Sequence, residues 1–188
     1  MKSNFAVKPI FTAIIAISIL FIALNAIDIV KNVMRGGDIF GYYSDIEDFR
    51  KAYSKVGDKD FYINGSVIAS LEDEGEHYDF VVKNGELSIV RINYKESKYG
   101  KKFIFSNINP SKTYPLNSLI SFFEERYSEG NSSIASLFEN NTFVSAKNQL
   151  FICILRTEYS LEIPDVDKYE FSYNNKPYIL YVKHIVAE

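Results

Sequence analysis

Residues 76–94 read EHYDFVVKNGELSIVRINY, two runs rich in β-branched and aromatic residues on either side of Asn84-Gly85. Asn-Gly is the strongest short hairpin signal, because a type I′ turn needs positive φ at both central residues. A two-residue turn at that point makes Val82 face Leu87, Phe80 face Ile89 and Tyr78 face Arg91, with Lys83 and Glu86 paired at the tip. Under this register the apolar side chains share one face, which a slip of one residue would destroy. The segment is therefore expected to be a hairpin of an antiparallel sheet with one buried side.

Working outward, residues from Phe61 alternate with period two. They put Phe61, Ile63, Val67, Ala69 and Leu71 on one face of a strand, with Gly65 marking a bulge or bend. Downstream, Lys102–Asn107 adds a fourth strand with Phe103 and Phe105, and Asn109-Pro110 and Tyr114-Pro115 are expected to break the sheet. Leu116, Leu119, Ile120, Phe123 and Tyr127 recur at helical spacing, which predicts a helix over 117–129, and a second short helix is expected near Ser133–Glu139. Leu150–Leu155 is continuously apolar and reads as a central strand buried on both faces. The chain then closes with a hairpin turning at Asn174-Asn175, where Pro177 suits an edge strand. The fold class is α+β: an N-terminal transmembrane helix, then one mostly antiparallel β-rich domain with two or three short helices.

The helix assignment at the start rests on Ile10–Ile27, IFTAIIAISILFIALNAI, which carries no charge. Eighteen residues of helix cover about 27 Å, enough to cross the hydrocarbon layer. The alternative is a cleaved signal peptide, with Leu24-Asn25-Ala26 as its small-residue cleavage site, but the run exceeds the usual 7–15 apolar residues and no clear A-x-A follows, so an uncleaved anchor is expected. Lys2 and Lys8 ahead of the run are matched by Lys31 and Arg35 behind it, and the short basic tail favours a cytoplasmic amino terminus. Gly36-Gly37 is expected to end the helix and act as a hinge, and Ser44-Asp-Ile-Glu47 reads as a capping box. It opens a helix to about Val56 with Ile46, Phe49 and Tyr53 on one face. The expected organisation is thus residues 1–9 as a cytoplasmic tail, 10–35 as a signal-anchor helix, 36–44 as a hinge and 45–188 as an extracytoplasmic domain.

Composition narrows the function classes. A hydrophobic fraction of 47% with 24% charged residues excludes a disordered chain. Residues 1–35 hold four basic side chains against Asp28, a net of +3, so the other 153 residues carry −6 of the total of −3. That field disfavours nucleic acid as a partner. Among the 188 residues there is no phosphate-binding glycine motif, no HExxH and no nucleophile elbow, so neither a cofactor nor a metal is expected. Cys153 lies inside LFICIL, where burial would raise its pKa and leave a dyad with His184 inactive. His77 and His184 read as structural histidines, and only convergent carboxylates around either would give a hydrolase. Asn64, Asn131 and Asn140 match the glycosylation sequon, a triplet that an Asn-rich chain generates by chance.

Two charged clusters remain as a candidate interaction surface. Glu72, Asp73, Glu74 and Glu76 form an acidic hairpin tip without the spacing of a calcium loop. Arg91, Lys95, Lys98, Lys101 and Lys102, interleaved with Tyr94 and Tyr99, form a basic one. Strand counting puts both tips at the same end of a four-strand meander, where they could orient a protein partner or a second copy. The expected function is a membrane-anchored binding or assembly module of the cell envelope, held through residues 10–27 and without catalysis. The alternative is a small barrel of the oligonucleotide-binding type, suggested by the glycine-bearing strand FYINGSVIAS.

Overall fold

The computed structural model describes residues 7–38, 40–53, 62–73, 75–104, 112–129, 142–144, 148–159, 161 and 164–186. Over these the chain is α+β, with three α-helices and antiparallel sheets, and it divides into two compact units. The first comprises Met1–Asp58 with Asn93–Phe105, the second Lys59–Ile92 with Ser106–Glu188. One strand, Glu86–Ser97, contributes its first seven residues to the second unit and its last five to the first.

The first unit opens with helix α1, Val7–Met34. Pro9 is tolerated in its first turn, where backbone N–H groups have no intrahelical acceptor. At the other end Gly36 takes φ 88° and donates to the Val33 carbonyl at 3.0 Å, while Gly37 donates to the Asn32 carbonyl at 3.0 Å. This is a Schellman cap, and it requires a residue at ease with positive φ where Gly36 stands. Within the helix, the stretch Thr12–Met34 holds an 18-residue window with a mean hydropathy of 2.5, none of which is buried in protein. It is long and apolar enough to cross a membrane.

Beyond the cap the Asp38 carboxylate accepts the N–H groups of Phe40 and Tyr42 at 2.9 and 3.0 Å, bending the chain into strand β1, Tyr42–Tyr43. Helix α2, Ile46–Tyr53, follows and buries Phe49, Ala52 and Tyr53. Asp45, not Ser44, caps it, accepting the Glu47 N–H at 2.6 Å. The expected last turn of this helix, residues 54–56, lies outside the described residues.

In the second unit β2, Ser66–Asp73, pairs with β3, Glu76–Lys83, and β3 with β4, Glu86–Ser97. Asn84 and Gly85 have φ of 51° and 78°, the two positive values that the type I′ turn demands. Tyr78, Phe80, Leu87 and Ile89 are all fully buried, as the common-face reading requires. In the first unit the end of β4 pairs with β5, Gly100–Ile104, across a two-residue turn at Lys98-Tyr99, and β5 pairs with β1. Back in the second unit, β6, Lys112–Pro115, pairs with the start of β4 and runs into helix α3, Leu116–Ser128.

A second sheet in this unit has the order β7-β8-β10-β9, from β7, Thr142–Val144, β8, Asn148–Arg156, β9, Asp167–Tyr173, and β10, Lys176–Val186. Its central strand β8 buries Leu150 and Ile152 through Leu155, as the apolar run predicts. One core joins Tyr78, Phe80 and Leu87 of the first sheet to Phe123 of α3 and to Ile154 and Leu180 of the second sheet. Arg156 of β8 clamps α3 by reaching both carboxylate oxygens of Glu124, at 2.6 and 3.1 Å. Among the described residues the strands thus form two sheets.

Four local expectations are corrected. The bulge in β2 falls between Val67 and Ala69, not at Gly65, and by adding a residue it leaves Val67 exposed while Ala69 is buried; the strand itself begins only at Ser66, so Ile63 lies in a turn beside Asn64, whose φ is 58°, and is exposed. Tyr114-Pro115 does not break the sheet. It ends β6, where Pro115 opposes Glu86 at the last pair of a short ladder. Strand β4 continues past Tyr94 to Ser97, so the basic stretch is itself a hairpin. Finally, Pro177 is not on an edge strand, since β10 lies between β8 and β9. Its missing N–H is harmless because pairing with β8 begins one residue later, at Tyr178 opposite Arg156. The short helix expected at Ser133–Glu139 lies outside the described residues.

Candidate functional site

The basic cluster divides between the two units. Lys95, Lys98, Lys101 and Lys102 lie on the β4–β5 hairpin of the first unit, with Lys95 directly opposite Lys102. Like charges in opposed positions repel, and each lysine has a local remedy. Lys102 Nζ reaches the Asp38 carboxylate at 3.1 Å, which joins the hairpin to the segment following α1. The ammonium groups of Lys95, Lys98 and Lys101 lie 5.7, 4.8 and 4.9 Å from the ring centroids of Tyr42, Tyr99 and Tyr94. Tyr99 at the turn is 83% exposed. Asp38 feels burial, which raises its pKa, but hydrogen bonds from Tyr42, Lys102 and Phe40 outweigh it and hold the carboxyl below its ordinary value.

Arg91 does not belong to this exposed group. It is only 8% exposed, in the second unit, with Nη1 3.4 Å from the Glu76 carboxylate and no partner for Nε. Glu76 also accepts the Tyr78 hydroxyl, so it is a half-buried ion-pair partner and not part of a free acidic tip. Glu72 is exposed and turns toward His77, with 3.3 Å between Oε1 and Nδ1. The side chain of Asp73 and the whole of Glu74 lie outside the described residues.

Around His77 the second unit holds a buried polar cluster. Ser70 opposes Asp79 and Glu72 opposes His77 across the β2–β3 ladder. Asp79 is fully buried, accepts Ser70 Oγ at 2.8 Å and the Tyr62 hydroxyl at 2.8 Å, and lies 2.8 Å from His77 Nε2. The carboxylates of Glu72 and Asp79 thus converge on His77, the arrangement that the hydrolase reading calls for, around a ring that is only 4% exposed. Each imidazole nitrogen faces a carboxylate, and the serine hydroxyl donates to Asp79 instead of to a ring nitrogen that would activate it. Asp79 is the residue that the motif search missed, although an acid inside the apolar run YDFVV is a visible signal of a satisfied buried carboxylate.

Cys153 is buried in β8 and its thiol is pushed up to about 12 by desolvation, the reverse of what a nucleophile needs. The backbone of His184, on β10, pairs with that of Leu150 on β8. No group of three or more His, Cys, Asp and Glu side chains suited to a metal occurs among the described residues. Comparison of the chain with protein families, curated proteins and solved structures finds no match to any of them.

Proposed function

We propose that this protein is a single-pass membrane-anchored module whose folded part lies outside the cytoplasm and acts by binding, as an assembly component of a cell envelope. The observation that carries this reading is α1. It has an 18-residue apolar window with no protein covering it, and the helix is ended by a Schellman cap that leads directly into folded chain. An uncovered apolar surface of that extent is unstable in water, and a bilayer satisfies it. Lys2 and Lys8 ahead of the apolar run supply positive charge that favours the cytoplasm on that flank. Tethering concentrates a binding surface near its partner without any catalytic step.

The binding surface we assign is the β4–β5 hairpin tip, where Lys98 and Lys101 flank the exposed Tyr99. An acidic protein surface, including that of a second copy of this net-acidic chain, is its complement. A photo-crosslinking residue at position 99 in intact membranes should yield a discrete adduct that is lost in K98E/K101E. Lys102 is left intact because it holds Asp38. An adduct pattern identical in the reversed variant at low salt would overturn the assignment.

A further inference from the structure

Within the first unit, a cleft of about 190 Å³ opens beside the C-terminal end of α1. It is lined by Asn32 and Arg35 from the end of α1 together with Tyr43, Phe49, Ala52 and Tyr53. The rings are fixed against one another: Tyr43 meets Phe49 edge-on at 5.5 Å and Phe49 stacks on Tyr53 at 5.9 Å. Close approach is possible because positions 37 and 41 are glycine. A Cβ at 37 would lie 3.1 Å from the Tyr43 ring, and one at 41 would lie 3.1 Å from the Asn32 amide.

The polar side chains of Asn32, Arg35 and Tyr43 line the cleft. Among the described residues Arg35 makes no ion pair, and neither the Asn32 amide nor the Tyr43 hydroxyl makes a hydrogen bond, although Tyr43 is only 7% exposed. A guanidinium, an amide and a phenol can all donate, and a cation among donors selects an anion. The cleft is smaller than the roughly 300–1,000 Å³ of sites for drug-sized ligands, which restricts it to a compact group. Its position supplies the identity. The uncharged run Ile10–Ile27 covers about 27 Å of the about 30 Å of hydrocarbon, and Asn32 and Arg35 follow it by five and eight residues, which brings the cleft to the headgroup region.

We propose that this cleft binds the phosphate of an anionic phospholipid headgroup, with Arg35 as its charge partner and Asn32 and Tyr43 as donors. The proposal rests on the reading of α1 as a membrane span. Bound in this way, a lipid would fix the angle at which the folded part leaves the bilayer. The chemistry recognised is that of a phosphate oxyanion, and lipid and solution phosphate are separable by experiment.

The full chain is reconstituted into phosphatidylcholine nanodiscs carrying a small fraction of spin-labelled phosphatidylglycerol or phosphatidylcholine, and the motionally restricted fraction of each label is measured. The wild-type chain should prefer phosphatidylglycerol by roughly fivefold, the value of one basic side chain at an anionic surface. R35Q should bring the preference close to one, and Y43F, which keeps the ring packing, should lower it partway. K176Q, which removes an exposed charge outside the cleft, should leave it unchanged. Equal preference in wild type and R35Q, or equal loss in K176Q, would overturn the proposal. Loss of the preference on adding millimolar inorganic phosphate at constant ionic strength would show a site for free anions and overturn the lipid assignment. If the wild-type chain does not enter phosphatidylcholine discs, the membrane reading fails and the proposal falls with it.

Discussion

Replacing Gly85 by valine tests the turn on which the second unit is built. Gly85 has φ 78°, and its carbonyl accepts the N–H of Leu116 at 2.8 Å, so the same residue closes the β3–β4 hairpin and anchors the start of α3. A side chain in the left-handed region costs about 1–2 kcal/mol, and β-branching adds to it. A Cβ there would also meet the Tyr173 hydroxyl at 3.2 Å, but that is the free end of a side chain and can shift by a few tenths of an ångström. The expected loss is therefore about 1–2 kcal/mol for Gly85→Ala and about 2–3 kcal/mol for Gly85→Val. Asn84→Gly keeps both positive φ values open and should stay within about 0.5 kcal/mol of the parent. Cys153 provides the assay, because its buried thiol should react with maleimide only when β8 opens. In urea titrations of the full chain in detergent, a slope of about 2 kcal/mol/M turns the valine loss into a midpoint shift of about 1–1.5 M. An unchanged midpoint for Gly85→Val, or an equal drop for Asn84→Gly, would refute the argument.

The other expectations follow from the buried polar groups and from Asp38. Asp79→Ala removes the acceptor shared by Tyr62, Ser70 and His77, and should cost about 3–5 kcal/mol in the same titration, with Asp79→Asn losing less. The lowered pKa of Asp38 means that the unfolded chain binds a proton first as pH falls. Its contribution, under about 1 kcal/mol at this part-exposed site, is therefore present above pH about 4 and lost as pH drops through the lower folded value. Asp38→Asn should flatten the acid limb of the stability profile of the full chain between about pH 4 and pH 2, and an unaltered limb would count against the ion pair. Without denaturant, Cys153 should resist maleimide at pH 8 for as long as the fold persists, and rapid labelling would contradict its burial.

Features set by local chemistry were legible in the sequence. Asn84-Gly85 declared its turn because positive φ is a property of the two residues themselves, and Gly36 declared the end of α1 for the same reason. Leu150–Leu155 was readable as a buried strand from its continuous apolarity. Strands of two to four residues, β1, β6 and β7, were not readable, because what makes them strands is the ladder on a distant partner. The bulge at Ile68 escaped for a related reason: β3 selects the register, and the alternation up to Val67 looks regular by itself. Arg91 looked like one more cation of an exposed stretch, since only its ion pair with Glu76 discloses that it is buried. The cleft beside Arg35 depends on Tyr43 and Phe49 folding back against the end of α1, an arrangement that no spacing rule encodes.

The anchored topology is tested most directly by adding proteinase K to intact spheroplasts that express the chain and resolving the membrane fraction by mass. The account predicts that the folded part is digested without lysis, leaving a membrane-embedded fragment that contains Thr12–Met34 with its amino terminus intact. Complete protection until lysis, or a chain recovered free of the membrane and lacking its apolar segment, would contradict it.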